Sequence, residues 1–221
     1  MLQFNLVDKE KQAGISGIKY AHKKGLGVIV MEPLRGGQLT LNIPTNIQER
    51  WIDMAALYDV NEVTPVKFLL DWVWNYDEVG FLISGMSSFE QVQENIKYAN
   101  NSKINKLKKN QLKLFEKIKE EYLRTIVIHC TRCDYCKICP QQIAISHIFD
   151  KLNEVKRFLN QKTPTFQYNF LPEDKRAKRC IMCNKCTEVC PQKLDIPELL
   201  RFCSQVFDEK IEFDEVFVST H

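Results

Sequence analysis

Two cysteine-rich stretches decide how this sequence folds: CTRCDYCKICP at residues 130–140 and CIMCNKCTEVCP at residues 180–191. The first has the spacing C-x2-C-x2-C-x2-C and the second C-x2-C-x2-C-x3-C, and a proline follows each last cysteine. Two-residue gaps let successive thiols point into one concave turn, and the proline directs the chain away from it. We call these stretches combs. The first comb contains Cys130, Cys133, Cys136 and Cys139, and the second contains Cys180, Cys183, Cys186 and Cys190.

The second comb has a spacing typical of iron–sulfur ligation. In the bacterial ferredoxin pattern C-x2-C-x2-C-x3-C-P, three thiolates hold one cluster and the fourth ligates the other. A repeat follows the combs, because CPQQIAISHIF (139–149) and CPQKLDIPELL (190–200) match at Cys, Pro, Gln and four apolar positions. Such a duplication predicts two halves that exchange their last ligands. We therefore predict two [4Fe-4S] clusters, one held by Cys130, Cys133, Cys136 and Cys190 and the other by Cys180, Cys183, Cys186 and Cys139.

Two alternatives stay open for the first comb, whose last gap is two residues instead of three. Four regularly spaced thiolates can hold one structural zinc ion, which would make the chain a zinc-stabilised interaction module. The cysteines can also form disulfides. Disulfides are disfavoured because the chain shows no export signal, and a reducing cytosol keeps thiols free.

Bulk composition limits the classes of function. The chain has 221 residues, 44% hydrophobic and 27% charged, which is typical of a soluble globular protein. A net charge of +3 is too small to indicate nucleic acid as a partner. No stretch approaches the eighteen or so apolar residues of a membrane span, and the start is too short and too acidic for a secretory signal. We expect a cytoplasmic protein without a nucleic-acid or membrane partner.

The first 124 residues alternate between strand and helix patterns. GVIVM (27–31) is apolar, β-branched and bounded by glycine and proline, as in a strand buried on both faces of a parallel sheet. Thr64 and Pro65 predict a helix start with threonine as its cap, and Ser87 or Ser88 predicts another. The alternation predicts an α/β fold with parallel strands. Strands are predicted at 3–6, 27–31 and 80–84, and helices at 13–24, 47–57, 64–73 and 89–99.

The strand and helix alternation stops near Arg124, where we place a domain boundary between residues 1–124 and residues 125–221. The second domain is predicted to be mainly α-helical. One helix runs from Ile145 to about Leu159, with a buried apolar stripe formed by Ile148, Phe149, Leu152, Val155 and Leu159. Another helix follows Asp195, with Glu198 as the reciprocal capping residue. Cys203 lies outside both combs and is predicted to be a buried core residue. The acidic tail from Asp208 is predicted to pack loosely.

Four segments of the first domain resemble the last part of an aldo/keto reductase. They are Gln3 on its strand, GLGVIVMEPLRGG (25–37), VTPVKFLLDWV (63–73) and FLISGMSSFEQVQENI (81–96). Together with the combs, they are similar to the aldo/keto reductase-type oxidoreductases that carry a C-terminal two-cluster ferredoxin domain. The resemblance implies the last strands and helices of a (β/α)8 TIM barrel, followed by a helical ferredoxin-like domain.

The resemblance also implies a site for a nicotinamide nucleotide, NAD(P), at the carboxyl ends of the strands. Gln3 would hold the nicotinamide carboxamide, and Met31 stands where many members stack an aromatic ring. Leu34, Arg35 and Gly36 would approach the pyrophosphate with backbone groups. Ser84, Gly85 and Met86 would lie in the ribose-phosphate loop, and Gln91, Glu94 and Asn95 at the adenosine end. Gln91 takes the place of a phosphate-binding arginine, which weakens the case for NADP.

No catalytic residue is predicted in this chain. The family's Asp, Tyr, Lys and His tetrad lies in the first half of the barrel, whereas the resemblance here begins at the sixth strand. Tyr20 and His22 lie in a helix pattern and are not taken as substitutes. The chain is therefore expected to be the C-terminal portion of the enzyme and inactive alone. It would need the missing barrel half, from the same or a separate chain, to reduce a small carbonyl substrate.

Hydride chemistry beside one-electron centres needs an intermediary, either a flavin or a redox partner protein, and the sequence shows no flavin site. A second hypothesis takes the chain as a free-standing iron–sulfur electron carrier, with the barrel remnant serving only as a docking platform.

Overall fold

The structure is a computed structural model that describes residues 1–218, and the side chains of residues 1–216. The chain divides into two compact units, Met1–Leu123 and a second that begins at Arg124. No helix in the described part of the chain has both the length and the apolar character that crossing a membrane requires.

The first unit is an α/β fold around a small parallel sheet. Its strands are β1 (Leu2–Gln3), β2 (Ile29–Met31) and β3 (Phe81–Leu82), in the order β1-β2-β3. Its helices are α1 (Gly14–Lys23), α2 (Thr45–Leu57), α3 (Pro65–Trp74), α4 (Phe89–Asn100) and α5 (Lys109–Arg124). Leu2 pairs with Val30 and Ile29 with Phe81, both in parallel register. The predicted α/β class is confirmed.

Local signals set most helix ends in this unit. Gly25 has φ +70° just after α1, a left-handed conformation that stops a helix at low cost in glycine. The Ser88 hydroxyl accepts a hydrogen bond from the Gln91 amide at 3.4 Å and caps α4 as predicted. The cap bond predicted for Thr64 is absent, because its hydroxyl donates to the Glu62 carbonyl instead.

Aromatic side chains form much of the core of the first unit. Phe4 stacks on Trp72 with ring centroids 5.2 Å apart, and Trp51 stacks on Phe68. The buried Trp51 indole donates to the Tyr122 hydroxyl at 3.2 Å, and that hydroxyl donates to the Leu39 carbonyl at 2.7 Å. The indole N–H is thus satisfied inside an apolar core. The prediction that the α3 aromatics are core residues is confirmed.

The strands are shorter and less buried than predicted. The prediction of a buried strand at 80–84 is wrong, since Phe81 is 69% exposed and Ile83 is 50% exposed. The reason is that β3 is an edge strand whose one partner in the sheet is β2. A short apolar run reads alike at an edge and in the middle of a sheet, because only the neighbouring strands distinguish the two positions.

The second unit is helical around an apolar core. Its helices are α6 (Ile145–Phe158), α7 (Lys162–Tyr168), α8 (Lys185–Glu188), α9 (Ile196–Phe207) and α10 (Phe213–Val218), with short 3-10 helices at Tyr135–Ile138, Glu173–Lys175 and Ala177–Arg179. Helices α6 and α9 pack on each other. Ile148, Phe149 and Leu152 of α6 are fully buried beside Leu200 and Cys203 of α9.

Three predictions for the second unit need comment. Cys203 is fully buried, as predicted. Leu159 is 87% exposed instead of buried, because it adopts φ +49° at the end of α6 and turns off the apolar stripe. The tail does not pack loosely as far as residue 216, since Phe213 and Val216 are buried in the core and the Gln161 side chain accepts a bond from the Phe213 amide at 2.8 Å.

Candidate functional site

The two combs share one backbone conformation. In both combs, left-handed residues occur two and four residues after the first cysteine and three residues after the last: Arg132 and Met182 (φ 59° and 55°), Asp134 and Asn184 (64° and 61°), and Gln142 and Lys193 (both 52°). Each comb then enters a helical turn, the 3-10 helix Tyr135–Ile138 in the first and α8 in the second. Non-glycine residues adopt this region at a cost, so a matched set of six indicates one loop geometry built twice.

The left-handed turns direct backbone amides at sulfur. The Cys130 sulfur accepts a hydrogen bond from the Arg132 amide at 3.4 Å. The equivalent Cys180 sulfur accepts one from the Met182 amide. Hydrogen bonds to sulfur stabilise a thiolate ligand and are one means of setting the reduction potential of an iron–sulfur cluster.

A small cavity of about 20 Å³ joins thiols from both combs. Cys130, Cys133 and Cys136 line it together with Cys190, the last cysteine of the second comb. Its wall is otherwise largely apolar and includes Ile145, Phe149, Leu194 and Ile196. The cavity thus places the last thiol of the second comb beside the first three thiols of the first comb, which is the grouping that the predicted ligand exchange requires.

The remaining four thiols form the complementary group. Burial raises the pKa of the Cys180 thiol, and the nearby charges of Cys139 and Cys183 raise it further. Burial likewise raises the pKa of Cys186, again with contributions from Cys139 and Cys180. Cys139 therefore lies close to Cys180 and Cys186, and the helical turns of the two combs also contact each other.

The chemistry of the donor sets fits iron–sulfur clusters. Burial, followed by the neighbouring charges of Cys130 and Cys133, raises the pKa of Cys136 to about 12. Grouped thiols of this kind ionise readily only when cations offset their charge, which bound iron does. Within residues 1–218, no group of three or more His, Cys, Asp or Glu side chains is arranged to hold a metal ion. The four thiols around the shared cavity are thus grouped without being arranged around a single ion.

The first unit contains a cleft of about 510 Å³ at the carboxyl ends of β2 and β3. Nine of the eleven residues that the resemblance assigns to a nucleotide line it: Met31, Leu34, Gly36, Ser84, Gly85, Met86, Gln91, Glu94 and Asn95. Glu32, Thr40 and Val66 also line the cleft and were not predicted. The carboxyl ends of parallel strands are where α/β barrels place their active sites.

The polar residues of this cleft hold one another in place. The Gln91 side-chain oxygen accepts from the Ser87 amide at 2.8 Å, and the Asn95 amide donates to the Ser84 hydroxyl at 3.3 Å. These bonds fasten the loop after β3 to the first turns of α4. Ser87 and Gln91, at the amino end of α4, line the cleft, and the amino end of a helix favours an anion.

Gln3 and Arg35 do not line the cleft. The Gln3 amide donates to Asp8 Oδ2 at 2.7 Å, and Arg35 Nε donates to the same oxygen at 3.0 Å. Asn5 also donates to it at 3.1 Å, and the side chains of Arg35 and Asp8 are each 1% exposed. This buried network ties β1 to the loop after β2. Sequence reasoning missed Asp8 and Asn5, because Asp8 and Arg35 are 27 residues apart and no local spacing links them.

Tyr20 and His22 lie on α1 and are exposed. The structure brings neither residue into the cleft, which agrees with leaving them out of the candidate site.

Two profiles of known protein families match this chain, one in each unit. The profile of the 4Fe-4S dicluster domain matches residues 129–194, which include both combs. The profile of the aldo/keto reductase family matches residues 1–120. Fold, thiols and profiles together define an oxidoreductase with an iron–sulfur domain. The chain belongs to the aldo/keto reductase family, and the predicted combination of domains is confirmed. Searches of curated proteins and of solved structures each find no match.

Proposed function

We propose that this chain is the C-terminal portion of an NAD(P)-linked aldo/keto reductase that transfers electrons through two [4Fe-4S] clusters. The observation that carries the proposal is the cavity in which Cys190 joins Cys130, Cys133 and Cys136. A carrier of two clusters with exchanged fourth ligands requires this arrangement. Free thiols in both combs also need a reducing compartment, which favours the cytoplasm.

The chain's own residues have three tasks at the proposed clusters. The thiolates hold the iron, the amides of Arg132 and Met182 donate to sulfur, and Ile145 and Phe149 exclude water from one wall. When bound, the clusters supply one-electron transfer. Amide hydrogen bonds and a dry wall are the protein's means of adjusting the potential.

Iron and acid-labile sulfide in anaerobically reconstituted protein test the cluster proposal. We expect about eight irons and about eight sulfides per chain, as two four-iron clusters require, with the visible absorption of [4Fe-4S] centres. Stoichiometric zinc without sulfide would overturn the proposal in favour of the zinc-stabilised module.

The cleft is proposed to bind the nucleotide, with preference for NADH over NADPH. Glu94 presents a carboxylate and Gln91 a neutral amide at the proposed adenosine end. A carboxylate repels the extra phosphate of NADPH but accepts hydrogen bonds from a ribose hydroxyl, the role of acidic residues in dinucleotide sites. Calorimetric titration should therefore give tighter binding of NADH. Loaded clusters without binding of either nucleotide would favour the free-standing electron carrier.

The first unit is further proposed to complete a (β/α)8 barrel with strands from the same or a separate chain. Support comes from the apolar side chains exposed along β3 and after it, Phe81 and Ile83. The reaction proposed for the completed barrel is reduction of a small carbonyl compound, and no catalytic residue is assigned to this chain. Carbonyl reduction by the purified 221-residue chain would contradict that assignment.

A further inference from the structure

An exposed apolar surface surrounds one of the two thiol groups. Ile181 and Met182, which lie between Cys180 and Cys183, are 58% and 53% exposed. Ile138, which precedes Cys139, is 55% exposed. The helical turns of the two combs contact each other, and Cys139 lies near Cys180 and Cys186. Three exposed apolar side chains from both combs therefore lie beside the same four thiols.

The segment around the second comb is basic. Residues 175–193 contain six basic residues and one acidic residue, a net charge of +5. The whole chain has a net charge of +3, so the other 202 residues together carry −2. Just upstream, Glu173 lies 3.7 Å from Lys178. The segment around the second comb therefore carries a local excess of positive charge.

These charges are available to a partner, whereas those of the first comb are already paired. Arg132 lies 3.4 Å from Asp150, and Lys137 lies 2.8 Å from Asp134. Around the second comb, four exposed basic side chains have no ion-pair partner among residues 1–216: Lys175, Arg179, Lys185 and Lys193. Cys183, which lies between Arg179 and Lys185 in the sequence, is also exposed, so the proposed cluster reaches the surface there.

We propose that Ile138, Ile181, Met182, Arg179 and Lys185 form a docking surface for a small acidic one-electron carrier protein. An apolar centre with a charged rim fits a transient redox encounter, which buries less than about 1,200 Å². Each encounter moves one electron between the cluster of Cys139, Cys180, Cys183 and Cys186 and the carrier, and no bond or proton is exchanged. The inference rests on the proposed function, because it requires that cluster.

The test uses the reconstituted full chain and flavodoxin, an acidic one-electron carrier, as the probe. Calorimetry at low salt should give micromolar binding that weakens as ionic strength rises. The double variant Arg179→Glu and Lys185→Glu should weaken binding about tenfold or more, since it reverses two charges facing the partner. The double variant Ile138→Ser and Ile181→Ser should weaken binding at every salt concentration, because it removes apolar contacts, which salt does not screen.

Matched controls separate docking from charge and from folding. Lys19→Glu with Lys23→Glu makes the same charge change at two exposed positions of α1 and should leave the affinity unchanged. Cytochrome c, a basic carrier of similar size, should not bind. Equal weakening by both charge-reversed variants would overturn the proposal.

Two further outcomes distinguish failure of the docking surface from failure of the proposed function. Failure to load iron and sulfide would refute the proposed clusters. Normal cluster absorption without flavodoxin binding would refute only the docking surface. Binding to vesicles of anionic phosphatidylglycerol that depends on Arg179 and Lys185, without binding of flavodoxin, would reassign the surface to a membrane and overturn the protein partner.

Discussion

At the scale of single residues, Cys139 is the decisive position. It belongs to the first comb in sequence, yet it lies near Cys180 and Cys186 of the second. Cys139→Ser should therefore damage the cluster of the second comb and spare the other. Iron analysis should show about half the iron lost, since one cluster of two loses a ligand. The electron paramagnetic resonance spectrum of the reduced protein identifies which cluster survives.

Cys203→Ala is the control for that substitution. Cys203 is fully buried on α9 outside both combs, so its removal should cost some stability but leave the iron content intact. Damage confined to the cluster of Cys130, Cys133 and Cys136 in the Cys139 variant would show that the ligands are not exchanged.

The buried pair of Arg35 and Asp8 supports a second residue-scale prediction. Both side chains are 1% exposed, and Asp8 also accepts bonds from Gln3 and Asn5. Arg35→Ala leaves a buried carboxylate without its cation, so the free energy of unfolding should fall by about 3–5 kcal/mol. Urea unfolding followed by tryptophan fluorescence measures it, because Trp51 and Trp72 lie in the core of that unit.

Arg50→Ala is the matched control, because Arg50 pairs with Glu121 at the protein surface. Surface pairs contribute little, so its unfolding midpoint should stay close to that of the parent protein. Equal losses in the two variants would mean that burial does not distinguish the two ion pairs.

At the scale of elements, the start of α9 shows half of the predicted capping box. The Asp195 carboxylate accepts from the Glu198 amide at 3.4 Å, whereas the Glu198 carboxylate bonds to Arg201 instead of reaching back. Asp195→Ala should therefore lower the free energy of unfolding by about 1 kcal/mol. Glu198→Ala should have a much smaller effect, since the box is not closed. Urea unfolding followed by circular dichroism compares them, and equal losses would indicate a closed box in solution.

The sequence predicts the ends of helices better than it predicts the burial of strands, because helix ends depend on local chemistry. Gly25, Pro65 and Ser88 mark helix ends through conformational freedom, ring geometry and a hydroxyl acceptor, all of which act within a few residues. The exposure of Phe81 depends on strands beyond β3, which no local pattern encodes. The predicted burial of Leu159 is wrong for a similar reason, because a left-handed turn at the end of α6 takes this residue off the apolar stripe.

At the scale of the whole molecule, the apolar edge of the first unit should govern its association. Exposed backbone and apolar side chains at an edge strand pair with other chains unless they are covered or charged. Phe81→Lys should therefore reduce self-association of the purified chain, measured by sedimentation velocity. Tyr20→Lys, at a similarly exposed position on α1, serves as the control and should leave association unchanged. No difference between the variants would argue against an open edge at β3.

By itself, the sequence determined which residues carry the chemistry. Thiol spacing, the repeated CPQ segment and the four segments similar to the reductase are local patterns, so they are legible without coordinates. The tertiary structure decided that Cys190 faces thiols of the first comb and Cys139 those of the second, that Arg35 is buried against Asp8, and that exposed apolar and basic side chains group around the second comb. These depend on contacts between residues tens of positions apart, and such contacts exist only when helices and strands pack.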